Sequence, residues 1–147
     1  MAGILLGDVP QRNADRLGPD RWALHYEGRR IGWGELARNA RRRADALRGA
    51  GVRQGDRVLL ALPNGIDFHE LVFAIWKLGA TPMPVSSHMP IGELRAIAEL
   101  GSPRLAIAAD PDVARAIGGH SPGFGADQPD PGDFATLEAP SWKAMTS

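Results

Sequence analysis

The sequence predicts an α/β fold in which a mostly parallel sheet is flanked by helices and preceded by a β-hairpin. Three observations lead to this prediction. Segments with a strand pattern alternate with segments of helical period, as in βαβ units. The apolar runs at 57–62 and 104–108 lack polar alternation, which indicates strands buried on both faces. Glycine, proline and aspartate separate the segments and mark turns between them.

The predicted hairpin lies in the stretch WALHYEGRRIGW. Trp22–Tyr26 alternates in part between apolar and polar residues, and Arg29–Gly32 returns. Glu27 and Gly28 between them have the length of a two-residue hairpin turn. The stretch therefore predicts a short antiparallel pair before the parallel sheet.

Four helices are predicted after the hairpin. The first spans Trp33–Ala50, because apolar residues recur there every three or four positions, at Leu36, Ala40, Ala44 and Leu47. The others span Gly65–Leu78, Pro90–Gly101 with the proline in the first turn, and 110–117. Between the second and third, the stretch TPMPVS at 81–86 contains two prolines, which predicts a strand at a sheet edge.

Composition limits the class of protein. The chain has 147 residues, a net charge of zero and no cysteine. A balanced charge argues against a nucleic-acid binder, and the lack of cysteine excludes disulfides and thiolate metal sites. No apolar run is long enough for a transmembrane helix, and the N-terminus lacks the pattern of a secretory signal. These features predict a cytoplasmic protein.

The chain divides into three parts. Residues 1–117 carry the alternating pattern and form the predicted α/β subdomain. Residues 118–140 are rich in Gly, Pro and Asp without any period, which predicts a long loop. Residues 141–147, SWKAMTS, resemble the entry of a short strand followed by the start of a loop.

The usual catalytic and metal-binding patterns are missing. The four histidines, His25, His69, His88 and His120, lack the spacing of a metal site. Ser87 precedes His88, but neighbours on an extended segment point to opposite faces. Asp110 and Asp112 suit the start of a helix, where acids complement the dipole. The stretch GGHSPGFG matches neither glycine-rich phosphate-binding fingerprint.

A basic run, ARRRAD, lies on the first predicted helix at residues 40–45. It suits either a phosphate or nucleic-acid patch, or a solvated helix face on which Arg41 pairs with Asp45 four residues later. The solvated face is the favoured interpretation, because no aromatic residues interleave with the arginines.

Three stretches together resemble the adenylate-forming acyl-CoA ligases, a family with luciferases and peptide-synthetase adenylation domains as relatives: two core motifs and the segment GVRQGDRVLLALPNGIDF between them. The first motif, L-[TS]-Y-x-E-L, is matched by Ile31, Trp33, Glu35 and Leu36, with Gly32 in place of the hydroxyl residue. The second, K-x-G-A-x-x-x-P, is matched by Lys77, Gly79, Ala80 and Pro84. The resemblance covers about residues 12–110 and leans towards bile-acid and fatty-acid CoA ligases.

This resemblance implies an N-terminal subdomain of the adenylate-forming enzyme fold. It also implies an AMP-forming acid–thiol ligase that uses ATP, Mg²⁺ and coenzyme A on a fatty, bile or aryl acid. The carboxylate attacks the α-phosphate to give an acyl-adenylate, and the thiol of coenzyme A then displaces AMP. In the family the two matched motifs are mainly structural. Thr146 and Ser147 match the first two positions of the loop that holds the ATP phosphates.

The favoured hypothesis is therefore the N-terminal scaffold of such a ligase, ending inside the phosphate loop and inactive by itself. A second hypothesis is a stand-alone α/β module that binds a ligand or partner without catalysis. A third, a nucleotide-binding Rossmann-like protein, needs a glycine-rich turn after a strand, and neither PNG nor LGA supplies one.

Overall fold

The computed structural model describes residues 3–117. A 3₁₀ turn at Leu6–Asp8 leads into the first helix. The elements that follow are, in chain order, α1 (Val9–Leu17), β1 (Trp22–Tyr26), β2 (Arg29–Gly32), α2 (Trp33–Gly49), β3 (Arg57–Ala61), α3 (Ile66–Lys77), β4 (Thr81–Pro84), α4 (Ile91–Gly101), β5 (Leu105–Ala108) and α5 (Pro111–Ala116). The predicted α/β class is confirmed.

The hairpin forms as the sequence predicts. Strands β1 and β2 are antiparallel, with Tyr26 opposite Arg29 and an irregularity in register near Trp22. The two turn residues both have positive φ, 48° at Glu27 and 79° at Gly28. This is the backbone of a type I′ turn, whose twist matches that of the flanking strands.

The second sheet has the order β4-β3-β5, and β3 pairs in parallel with both neighbours. Strand β4 lies at an edge of this sheet, which confirms the prediction from its two prolines. Four of the five residues of β3 and all four of β5 are buried, as the continuous apolar runs predicted.

Helices cover both faces of the parallel sheet. Alternate residues of β3 point to opposite faces because the side-chain period of a strand is two. Val58 and Leu60 pack in one cluster with residues of α2 and α3. Leu59 and Ala61 pack in a second cluster with residues of α4 and α5. The core therefore has two layers with β3 between them.

Some helix ends differ from the prediction. Pro90 does not lie in the first turn of α4 but precedes it as the N-cap, with an extended ψ of 143°. Gly101 is the last residue of α4, and Ser102 caps it in the left-handed region. Helix α1 was not predicted, although its buried residues Pro10 and Ala14 lie four positions apart, as on one face of a helix.

The predicted loop at 118–140 and strand entry at 141–147 lie outside the described residues. Within residues 3–117, no helix is long and apolar enough to cross a membrane.

Candidate functional site

A cleft opens at the carboxyl ends of β3 and β5. After β3 the chain turns into α3 on one face of the sheet, and after β5 it turns into α5 on the opposite face. Neighbouring parallel strands whose connections diverge in this way leave a crevice between their ends. In open α/β sheets such a crevice is the usual place for a ligand.

The cleft has a volume of about 510 Å³, which is within the range of small-molecule sites. The hairpin turn supplies one wall, and the segment from the end of β3 into α3 supplies the other. Its lining residues are Tyr26, Glu27, Arg29, Leu62, Pro63, Asn64, Gly65, Ile66, Asp67, Phe68 and Ala109. The site thus joins the antiparallel hairpin to the parallel sheet.

The hairpin wall carries charge at its tip. Tyr26 is an exposed aromatic ring, with 40% of its surface accessible. Arg29 Nη2 lies 3.4 Å from Glu35 Oε1, a carboxylate in the first turn of α2. Glu35 is therefore the counter-ion of Arg29. Glu27 forms no ion pair with the described residues.

The opposite wall is the start of α3. Gly65 lies against the Tyr26 ring, since a Cβ built on it would be 3.6 Å from Tyr26 Cε1. His69 Nδ1 contacts the Gly65 carbonyl at 2.7 Å and holds the backbone at the helix entry. Asp67 in the first turn of α3 places its carboxylate at the cleft.

A buried ionic network behind this wall joins α2 to α3. Arg43 is fully buried and donates from Nε and Nη2 to Glu70 Oε1, at 3.1 and 2.9 Å. Its Nη2 also donates to Asp67, and Glu70 Oε2 accepts from Asn39 Nδ2 at 2.6 Å. The network fixes the first two turns of α3, and with them one side of the cleft.

The prediction of a solvated arginine face on α2 is therefore wrong for Arg43, the last arginine of the run at 41–43. Arg43 lies in the core because its charge is met by two carboxylates on α3. The predicted pair of Arg41 with Asp45 does not form. Arg41 donates to Gln11 on α1, and Asp45 accepts from Arg48 instead.

Comparison with known proteins identifies the family. A model described as AMP-binding enzyme matches residues 10–136, most of the chain. The chain belongs to the AMP-binding enzyme family. This confirms the resemblance to adenylate-forming ligases inferred from the two motifs.

The names of similar proteins in this family refer to acyl-CoA products in some cases and to acyl-adenylate products in others. A feruloyl-CoA synthase from Amycolatopsis sp is 38% identical over 98 residues, which are 66% of this chain and 20% of the synthase. A salicyl-AMP ligase / salicyl-S-ArCP synthetase from Mycobacterium tuberculosis is 44% identical over 81 residues, or 52% of this chain and 14% of that protein. This chain thus spans a fifth or less of the length of these relatives.

The likeness extends to solved structures. The N-terminal domain of FACL13 from Mycobacterium tuberculosis superposes with a TM-score of 0.71 at 26% identity, covering 91% of this chain and 33% of that domain's chain. The predicted N-terminal subdomain of the adenylate-forming fold is therefore confirmed.

The other candidate residues of this AMP-binding family member do not form a site in the described part. Within residues 3–117, no three His, Asp or Glu side chains are grouped to hold a metal ion. The His88 backbone N–H donates to Ser86 Oγ, and Asp110 caps α5 by accepting from the Asp112 N–H at 2.8 Å. His120, Thr146 and Ser147 lie outside the described residues.

The cleft was not predicted from the sequence. Its two walls are far apart in the chain, so no local pattern joins them. The single local signal was the turn Glu27–Gly28, where glutamate occupies a position that usually favours asparagine, aspartate or glycine.

Proposed function

We propose that this chain supplies the N-terminal scaffold of an ATP-dependent ligase that activates a carboxylic acid and transfers the acyl group to coenzyme A. The observation that carries the proposal is the family match across residues 10–136. Two relatives named feruloyl-CoA synthase support coenzyme A as the acceptor. The names feruloyl and salicyl support an aryl acid among the fatty, bile and aryl acids considered.

The positions that carry the family motifs shape the fold, which supports a scaffold role. Leu36 is completely buried, and Ala80 is 4% exposed. Gly79 turns the chain from α3 into β4 with a φ of 70°, and its carbonyl accepts from Gly55 at 3.0 Å. None of these groups lines the cleft.

The described residues do not suit ATP phosphates or Mg²⁺. The helix N-terminus at the cleft carries Asp67, and the facing turn carries Glu27 with Arg29, so the lining has no excess positive charge to hold phosphates. The segment between β3 and α3 has one glycine, Gly65, whereas a phosphate cradle needs several exposed backbone N–H groups. We therefore assign the first ATP contacts to Thr146 and Ser147, on the resemblance to the phosphate loop alone.

The experiment is ATP–pyrophosphate exchange with the purified 147-residue chain. A panel of fatty, bile and aryl acids is supplied with Mg²⁺ and ATP. We expect no exchange above a buffer control, because the resemblance gives this chain only the first two positions of the phosphate loop, Thr146 and Ser147, and phosphate charge needs further donors. Measurable exchange with any acid would show that the chain has chemistry of its own and overturn the proposal.

The alternative, a stand-alone binding or partner module, predicts a different surface. Three consecutive large apolar side chains are exposed, Ile4 at 58%, Leu5 at 67% and Leu6 at 55%. Such surface favours a scaffold that meets further protein. Sedimentation at several concentrations tests this, since self-association favours the scaffold and a cooperative monomer favours the module. A cytoplasmic location forms part of the same proposal.

A further inference from the structure

The cleft at the carboxyl ends of β3 and β5 has the groups of a binding site that the scaffold role does not use. Its walls are largely apolar and include the rings of Tyr26 and Phe68. Its polar groups are two carboxylates, one guanidinium and the amide of Asn64. A small number of polar groups on an apolar wall is the usual composition of a small-molecule site.

The balance of charge in the cleft points to a cation. Arg29 is paired with Glu35, and Asp67 is paired with Arg43 behind the wall. Glu27 is exposed to solvent, and its side chain has neither a hydrogen bond nor an ion pair with residues 3–117. Of the two acids that line the cleft, it is therefore the one whose carboxylate is not already paired with an arginine of the described part.

Aromatic geometry favours the same ligand. The Tyr26 ring forms part of the wall next to Glu27, and 40% of its surface is accessible. The face of an aromatic ring attracts ammonium and guanidinium groups through its quadrupole. A cation placed between this ring and the Glu27 carboxylate meets two attractive groups at once.

The backbone at Glu27 adds an independent observation. Its φ of 48° lies in the left-handed region, where a glutamate is strained and asparagine is accommodated more easily. The turn would form at least as well with asparagine, so the carboxylate is not required by the fold.

We propose that this cleft binds an organic ammonium ion that carries an aromatic ring. The ring packs against Phe68 and the apolar wall, and the ammonium group lies between the Tyr26 ring and the Glu27 carboxylate. The inference is separate from the proposed ligase function, because the carboxylate, ATP and coenzyme A of that reaction are all anions.

The test titrates phenethylamine into the ¹⁵N-labelled 147-residue chain and follows amide shifts by NMR. Hydrocinnamate, which has a carboxylate in place of the ammonium group, is titrated in parallel. We expect the amine to shift the amides of Gly65, Asp67 and Phe68, and hydrocinnamate to bind more weakly. An exposed charge contact of this kind corresponds to about a two- to five-fold difference in Kd.

The variant Glu27→Asn separates binding from folding. It removes the carboxylate and suits the turn, so thermal unfolding should be unchanged or shifted upward while amine affinity falls about two- to five-fold. Glu99→Gln removes an acid near the opposite end of the sheet, where α4 ends, and should leave the affinity unchanged. The proposal is overturned if amine and carboxylate bind equally, if Glu27→Asn keeps full affinity, or if no cleft amide shifts at about 10 mM amine.

Discussion

The buried pair of Arg43 and Glu70 should make stability depend on both partners together. The Arg43 side chain is 0% exposed and the Glu70 side chain 4%, so neither charge has access to water. Arg43→Met leaves Glu70 buried with Asn39 as its remaining side-chain contact among the described residues. Removing one partner of a buried pair typically costs about 3–5 kcal/mol. That loss is a large part of the roughly 5–15 kcal/mol that stabilises a typical domain.

Glu70→Leu should lower the free energy of unfolding by somewhat less, about 3 kcal/mol. Arg43 still pairs with Asp67 in this variant, and the Asp67 side chain is 56% exposed. The double variant Arg43→Met/Glu70→Leu replaces both charges by apolar groups of similar size. It should unfold within about 1 kcal/mol of the parent, or above it, since buried pairs seldom outweigh their desolvation.

Urea unfolding followed by circular dichroism measures these free energies, provided that the m-value is unchanged. Arg115→Met is the control, because Arg115 pairs with Asp112 in the exposed first turn of α5, and its loss should cost under about 1 kcal/mol. If the losses from the two single variants simply add in the double variant, the two charges do not compensate each other and the reasoning is refuted.

Three further predictions concern two glycines and a helix cap. Gly7→Ala should cost about 1–3 kcal/mol, because the new Cβ would lie 2.4 Å from the backbone nitrogen of Lys77 and the N-terminal turn must move off α3. In Gly92→Ala the new Cβ would have no atom within 4 Å, and alanine favours the helix α4, so the protein should be stabilised by about 0.5–1 kcal/mol. Thermal melts that show the same change for Gly7→Ala and Gly92→Ala would contradict both predictions. Asp110→Ala should cost about 1 kcal/mol by removing the cap on the Asp112 N–H, whereas a change below about 0.3 kcal/mol would show that this cap is solvated away.

The parallel sheet was predictable because its evidence is local. Continuous apolar runs predict β3 and β5, and the prolines of β4 predict an edge strand. The residues of the apolar run that predicts β3 are buried in the structure: Val58, Leu59 and Leu60 are completely buried. Helix ends were less predictable, because Pro90 is equally acceptable just before a helix or in its first turn.

The burial of Arg43 was missed although its position predicts it. Arg43 lies three residues after Ala40 and four before Leu47, within the apolar stripe of α2. Glu70 lies four residues after Ile66, within the buried side of α3. Charge alone suggested solvent exposure, and only the packing of α2 on α3 brings the two opposite charges together.

The cleft could not be predicted from the sequence, because it too depends on tertiary packing. Its shape depends on where the hairpin packs relative to the start of α3, as the contact between Tyr26 and Gly65 shows. Such tertiary placement leaves no periodic trace in the sequence. The phosphate-loop assignment of Thr146 and Ser147 remains a prediction.

The central claim, that this chain is scaffold without the ligase chemistry, is tested most directly by exchange into a working relative. In a feruloyl-CoA synthase, the matching segment of 98 residues is replaced by the corresponding residues of this chain. If the segment is scaffold, a chimera with a cooperative melting transition should form feruloyl-CoA within about ten-fold of the parent rate, or about 1.4 kcal/mol in activation free energy. A chimera that folds cooperatively but has lost feruloyl-CoA formation would contradict the account.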